Sequence, residues 1–532
     1  MPFPPILPIF HPMAIAFKTV ESEMRSLIRG DCLFDSETRE KYSVASSWYK
    51  IQPVGVVFPK DDADVQKVIH FCSHENIPVI ARGAGTGLAG QAVGMGIVLD
   101  FTRHMNRILR INPSNVDVEP GVVLNDLNDR LFPYNRFFPV DPVSGRLCTM
   151  GGMVSTNAAG PHGVKYGSMK DHVESLTVVL SNGDLARITA PSSNHEEENS
   201  FLEVIRTRLK ETLIPNRAEI LKSFPKVAKN SSGYNLRDAV DSDELDMRKI
   251  IVGSEGTLAI VVEATLRLAV PPKSRIGAVA SFSSYESAVD ATLAALTTNP
   301  VAIEIMDHTY VSHGRGFSGP TERLILPGSV AVLYFEYEGE STDELRSKAS
   351  SLRSLVRSCN PLEFSILERD DEQQALRNFR EAVSKKLNLG DSFGKSSFIE
   401  DVAVPLVNMP AYLSGLSAIL KRNGIEFSAY GHAGTGNIHC GTFVDLKNPD
   451  HFSKIDRVAS EVSDLAISLG GTLSGEHGDG FVRTPFLERQ YGFEVYGLFR
   501  SVKEAFDPQN IFNPGKIIGP QNATILHDVH FD

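Results

Sequence analysis

From Val54 onward, short apolar runs alternate with stretches whose apolar residues recur at helical spacing. VGVVFP (54–59) reads as a strand, and DDADVQKVIHFCSHEN (61–76) as a helix entered through an aspartate cap. IPVIAR (77–82) is the next strand, so the three predict a β-α-β unit. A glycine-rich loop (83–96) and the apolar strand IVLDF (97–101) follow. Further strands are expected at Val116 to Val122 and on both sides of the Asn182-Gly183 turn. The run from Lys249 to Val270 is β-rich, and Pro271-Pro272 marks a linker.

Beyond Lys273 the pattern renews as strand and helix (278–296), a strand (330–339) and a helix (341–359). Apolar positions at helical spacing recur from Met409 to Leu420, and a last helix stops at Asp507-Pro508. Residues 1–49 predict a helical lead-in, and SSNHEEENS (192–200) an exposed loop. The pattern divides the chain at 50–271, 272–490 and 491–532, and the β–α alternation of the second region predicts an α+β architecture.

Composition narrows the function. The 532 residues carry 53 basic and 65 acidic side chains, a formal charge of -12, which argues against a nucleic-acid binder. Five scattered cysteines without CxxC spacing argue against a thiolate zinc site or a four-cysteine cluster and fit a reducing compartment. No run of 18 apolar residues predicts a membrane span, and the N-terminus, broken by prolines, lacks the basic start of a signal peptide. A cytoplasmic protein is expected, with contact to a membrane surface left open.

Two constellations carry chemistry. Gly85-Thr86-Gly87-Leu88-Ala89-Gly90 matches GxGxxG, but only about six residues separate it from the next strand, too few for the helix that a Rossmann unit needs. What remains is a strand-loop-strand whose backbone N–H groups can approach an anion, with Arg82 adding charge. Glycine-rich stretches at 139–173 and 251–261 would let backbone meet a large planar ligand; alternatively they are tight turns. The second constellation is Tyr430-Gly-His432-Ala-Gly-Thr-Gly-Asn-Ile-His439 with Ser474-Gly-Glu476-His477-Gly. Its glycines argue against a helix and for a loop leading into a strand. Two histidines and a carboxylate suit a divalent transition metal such as zinc, although a histidine in such a turn can equally hydrogen-bond backbone.

RGAGTGLAG, MGGMVSTNAAG…KYG, VGSEGTLAIV and NPGK, in this order, resemble the FAD-dependent family of vanillyl-alcohol-oxidase (PCMH) fold. GHxGxGNxH and GEHG resemble its D-lactate, glycolate and D-2-hydroxyglutarate dehydrogenase branch, including the flavin half of bacterial iron–sulfur fusion enzymes. The resemblance implies an α+β fold: a two-subdomain FAD-binding domain, an α+β cap for substrate and metal, and a C-terminal segment that returns to the FAD domain. It implies that Arg82, Gly83, Ala84, Gly85, Thr86, Gly87, Leu88, Ala89 and Gln91 cradle the FAD pyrophosphate. Pro139, Asp141, Ser144, Gly151, Gly152, Asn157, Gly160 and Tyr166 would line the flavin and ribityl path. Glu255, Gly256 and Ile260 would meet adenine and ribose, and Asn513 and Lys516 would reach the flavin from the C-terminus. The first glycine loop has no histidine for covalent attachment, so FAD is expected to be non-covalent.

By the same resemblance His432, His439 and Glu476 are metal ligands and His477 is the general base. One departure stands out: members similar to the mitochondrial D-2-hydroxyglutarate enzyme carry an asparagine where this chain has Gly441. Arg380, Ser384 and Lys395 resemble the set that holds a distal substrate carboxylate, with serine replacing threonine; the alternative is a solvated helix face and a loop lysine. The implied activity is oxidation of a D-2-hydroxy acid, D-2-hydroxyglutarate ahead of D-lactate, with glycolate as the near rival. Electrons would pass to a quinone, an electron-transfer flavoprotein or an iron–sulfur protein. An ether-lipid alkyl transferase of the same flavin fold, a non-catalytic flavin subunit and a zinc hydrolase stay open as other classes. A homo-oligomer is left open.

Overall fold

The computed structural model describes residues 17–191, 199–241, 244–314, 326, 328–388 and 398–529. Among these, three sheets follow one another along the chain. The first contains β1 (Asp31–Leu33), β2 (Gly55–Phe58), β3 (Val79–Arg82) and β4 (Ile97–Asp100) in the order β1-β2-β4-β3. β2, β4 and β3 are parallel, and β1 pairs antiparallel with β2. β2 and β4 are buried throughout, as strands covered on both faces must be. The lead-in therefore supplies an edge strand as well as the helix Phe17–Leu27, which a helical reading missed. The helix Asp62–Glu75 starts where Asp61 accepts from the Asp64 amide. As expected, no helix lies between β3 and β4; the glycine loop makes the crossing.

The second sheet is antiparallel: β5 (Ile108–Ile111), β6 (Asn115–Val118), β7 (Val173–Val179), β8 (Leu185–Thr189) and β9 (Ile260–Arg267), in the order β5-β6-β9-β7-β8. Asn182-Gly183 turns β7 into β8. The run from Lys249 differs from its β-rich reading: Met247–Ile251 is a short helix, and the strand starts only at Ile260. The expected loop at SSNHEEENS lies, but for Asn199 and Ser200, outside the described residues.

The third sheet has seven strands: β10 (Ser274–Phe282), β11 (Ala302–Asp307), β12 (Ala331–Gly339), β13 (Glu363–Leu367), β14 (Val402–Ala403), β15 (Phe427–His432) and β16 (Asn437–Thr442). Their order is β13-β10-β12-β11-β15-β16-β14, all antiparallel. Helices Tyr285–Leu296, Thr342–Arg357 and Met409–Arg422 bury apolar faces in the core under this sheet. The helix Leu487–Phe506 crosses back to the core of the second sheet, and Asn513 and Phe512 join β3. Farther on, Ile525 is buried in the core of the third sheet, so the C-terminal segment serves both units.

Candidate active site

A cavity of about 960 Å³ opens between the glycine loops of the first unit and the face of the third sheet. On one side stand Arg82 to Leu88, Gln91, Asp141, Ser144, Gly151, Gly152, Gly160, Glu255 and Gly256. On the other stand Arg380, His432, His439, Glu476 and His477. The remaining candidates whose side chains are described do not wall it. Asn513 sits behind, where its Nδ2 donates to the carbonyls of Gln91 (3.0 Å) and Glu255 (2.8 Å) and joins two glycine loops. Lys516 donates to Val93 O and Asn513 Oδ1, each 2.8 Å away, and burial lowers its amine to about 7. Asn157 caps the helix Met150–Thr156, Tyr166 donates to Glu338 (2.7 Å), and Ala89, Pro139 and Ile260 are buried. Ser384 lies on the helix Asp370–Asn388, and Lys395 is outside the described residues. Arg82 lines the cavity, and its guanidinium also braces the loop, donating to the carbonyls of Tyr42, Val44 and Ala92 at 2.9–3.3 Å.

The histidine motif is more regular than a loop. It forms the hairpin β15–β16, with Tyr430 opposite His439 and His432 opposite Asn437. Gly431 makes the close turn of chain possible: its φ is 143°, and a Cβ there would lie 2.6 Å from the Asn437 carbonyl. The hairpin brings His432 Nε2 and His439 Nε2 to 3.4 Å. Glu476 Oε1, on the loop after Ser474, lies 3.1 Å from the first and 3.3 Å from the second. Zinc–ligand bonds of about 2.0–2.1 Å at tetrahedral angles put ligand atoms roughly 3.3 Å apart, so this triangle fits such an ion with one position open to the cavity.

Carboxylates and cations orient the triangle. His432 Nδ1 bonds Glu304 (2.8 Å), which also pairs with Arg380. Glu476 Oε2 accepts from Lys229 at 2.6 Å. Burial works against the Glu476 charge, yet Lys229 and His432 hold it well below the usual carboxylate range. Glu304 is lowered in the same way by Arg380 and His432 against its burial. His477 Nδ1 lies 2.7 Å from Glu400, which Arg483 braces at 2.8 Å. Burial opposes protonation of His477, but Glu400 and Asp401 raise it overall. Asp401, at the uncommon φ of 81°, accepts from the Ser474 hydroxyl (2.6 Å) and the amides of Glu476 (3.1 Å) and His477 (2.8 Å). It thereby sets the loop that carries Glu476 and His477.

Lys229, Glu304, Glu400, Asp401 and Arg483 escaped the sequence reading. Glu304 left a trace, an acid inside the apolar strand AIEIMD, and Glu400-Asp401 another, an acidic pair in FIEDVAVP. Lys229, in a polar stretch, left none.

Residues 53–189 match the FAD binding domain family, and residues 271–517 match the C-terminal domain of FAD linked oxidases. The D-lactate dehydrogenase of Archaeoglobus fulgidus is 31% identical over 470 residues, covering 87% of this chain and 91% of that protein. The chain belongs to the FAD-dependent D-2-hydroxyacid dehydrogenase family. The family also holds the D-2-hydroxyglutarate dehydrogenase of Escherichia coli K12, 30% identical over 523 residues and 92% of this chain. The chain spans about half of that relative, 51% of its length. Among solved structures, p-cresol methylhydroxylase with substrate bound superposes with a TM-score of 0.67 over 96% of this chain and 98% of that one, at 15% identity, and shares the fold. The cavity fits the family's cofactor. Its 960 Å³ stands at the upper end of small-molecule pockets, which run to about 1,000 Å³, and the wall on the first unit is mostly glycine and other small residues whose backbone a flat ligand can approach.

Proposed function

We propose that this chain oxidises a D-2-hydroxy acid to the 2-oxo acid, with FAD and a divalent metal, zinc by its ligand set, in one cavity. The observation that carries this reading is the convergence of His432, His439 and Glu476 within 3.4 Å of one another, on the cavity that the glycine loops enclose from the other side. Bound FAD supplies the acceptor for the C2 hydrogen as hydride, and the metal supplies a Lewis acid for the substrate hydroxyl.

The protein's own part is binding, orientation and the proton. The backbone of Gly83 to Leu88, Gly151-Gly152 and Glu255-Gly256 would hold the FAD, with Asn513 and Lys516 fixing the loops from behind. His477 takes the hydroxyl proton at Nε2, because Nδ1 is committed to Glu400. Nε2 lies 3.7 Å from the Glu476 ligand oxygen, so the base stands beside the open metal position. Among the described residues, four carboxylates (Glu304, Glu400, Asp401, Glu476) face three fixed cations (Lys229, Arg380, Arg483) around this centre. With the histidines neutral, a divalent ion turns the balance positive by one, which suits a substrate that enters as an anion.

D-2-hydroxyglutarate ranks ahead of D-lactate and glycolate as substrate, and the electrons pass to an external quinone, electron-transfer flavoprotein or iron–sulfur protein. Anaerobic mixing of the purified holoenzyme with each D-acid and its L-isomer tests the reading. Bleaching of the flavin band by D-acids alone is the expected result. A yellow protein that no hydroxy acid bleaches would overturn it.

A further inference from the structure

Lys229 is a buried cation that reaches across from one wall of the cavity to the other. Its Nζ donates to Glu476 Oε2 at 2.6 Å and to the Gly160 carbonyl at 3.1 Å. Gly160 belongs to the wall of glycine loops, and Glu476 to the triangle with His432 and His439. Packing leaves the side chain little slack: a Cβ on Gly163 would lie 2.8 Å from Lys229 Cε.

The residues after Lys229 grip the loop that carries Glu476. Ser231 donates its amide to the Ser474 carbonyl (2.9 Å) and its hydroxyl to the Gly475 carbonyl (3.1 Å). The Ser232 hydroxyl and the Gly233 amide donate to the Asp479 carboxylate at 2.7 and 2.6 Å. The strap 229–233 thus holds the loop on both sides of Glu476, while Asp401 accepts from the Glu476 amide at 3.1 Å. With its backbone pinned in this way, Glu476 keeps only the rotation of its side chain. Lys229 is the group that stops that rotation.

The two oxygens of Glu476 therefore differ in employment. Oε1 faces His432 Nε2 and His439 Nε2, and Oε2 is tied to the ammonium. A carboxylate can bind a metal through one oxygen or through both. Freed from Lys229, Glu476 could turn both oxygens to one ion, and the second would take the position that a substrate needs. The ammonium also acts on the strength of binding. A carboxylate behind a ligand histidine makes that ligand more basic, as Glu304 can for His432. An ammonium behind a ligand carboxylate does the reverse, and it repels the metal ion directly.

We infer that Lys229 is a positioning residue that confines Glu476 to one metal-binding oxygen, weakening metal binding while keeping the fourth position open to substrate. The inference rests on the metal site proposed above.

The zinc affinity of the purified holoenzyme, read by competition with a chromophoric chelator, tests this without turnover. Lys229→Met fills most of the same space without charge or donor, and it should bind zinc about 10-fold more tightly than the wild type. A residue that merely supports the site would do the opposite, since losing such a support typically costs about 10- to 100-fold in metal affinity. X-ray absorption at the zinc edge should place the carboxylate carbon closer to the ion in Lys229→Met, the mark of two bound oxygens. Hydroxy acids should reduce its flavin about 10- to 100-fold more slowly. Lys229→Gln removes the charge and keeps an N–H donor; it should share the tighter binding, and it carries the comparison if the methionine variant does not fold. Zinc affinity that is unchanged or lower in the variants overturns the Lys229 assignment, and so does a one-oxygen carboxylate in Lys229→Met. A wild type that binds no zinc overturns the metal reading, and the assignment falls with it. A wild type that binds zinc but is bleached by no hydroxy acid overturns the dehydrogenase reading, and the zinc comparison still decides the role of Lys229.

Discussion

His477 and Glu400 divide one task between them. In the proposed mechanism the imidazole presents Nε2 to the substrate, and the carboxylate 2.7 Å from Nδ1 fixes that choice. Replacing His477 with asparagine should therefore slow flavin reduction by about 10²- to 10⁴-fold while the protein stays yellow, as stopped-flow absorbance would show. Glu400→Gln keeps a hydrogen bond but loses the charge and should cost roughly 10- to 100-fold. The proposed ligands and base were legible in the chain because glycines interrupt both motifs, GHAGTGNIHCG and GEHG, which leaves their histidines and glutamate little packing purpose. Their supports were not legible. Lys229 meets Glu476 across 247 positions of sequence, and nothing in PKVAKNSSGY separates it from a surface lysine.

At the scale of elements, the hairpin β15–β16 is what brings His432 and His439 together into the proposed metal site. Gly431→Ala would push a Cβ to 2.6 Å from the Asn437 carbonyl at a φ of 143°, and the strain should fall on the pair of histidines. A loss of about 1–3 kcal/mol is expected, read as a lower Tm together with a lower bound-metal content by atomic emission. The same stretch shows the limit of pattern reading: glycines that predict a loop are here what lets two strands approach. The β–α alternation, by contrast, was plain beyond Lys273, where β10 and β12 are each followed by a helix with a buried apolar face. The short helix Met247–Ile251 was hidden because its apolar residues run on into strand-like sequence.

The unit that carries the glycine loops and the third sheet meet through His162, which bridges Asp141 and Glu336. Its imidazole rises from 6.5 to about 10 in the fold, so the bridge stabilises fully below about pH 6.5 and is lost as pH climbs through about 10. Tm should fall across that window, and His162→Gln should flatten the fall.

For the molecule as a whole, the proposed metal and flavin would be held on opposite walls by different residues, so they should be separable. Dialysis against a chelator is expected to abolish reduction by hydroxy acids while the flavin spectrum persists, and added zinc to restore it. No helix among the described residues is long and apolar enough to cross a membrane.

The return of the C-terminal segment has a consequence for biosynthesis. β3, made early, gains its outer neighbour only from Phe512 and Asn513, and the Ser181 hydroxyl waits for the carbonyl of Phe506. Asn513 then locks the loops of Gln91 and Glu255 together. A ribosome that has translated the first 490 codons has thus made nearly all of the glycine-walled half but cannot yet have closed it. Nascent chains arrested there should be colourless and open to protease, and colour should arrive only after the segment around residue 513 has left the exit tunnel. Coenzyme capture is thus expected to be a late event of synthesis, set by the order in which the chain emerges.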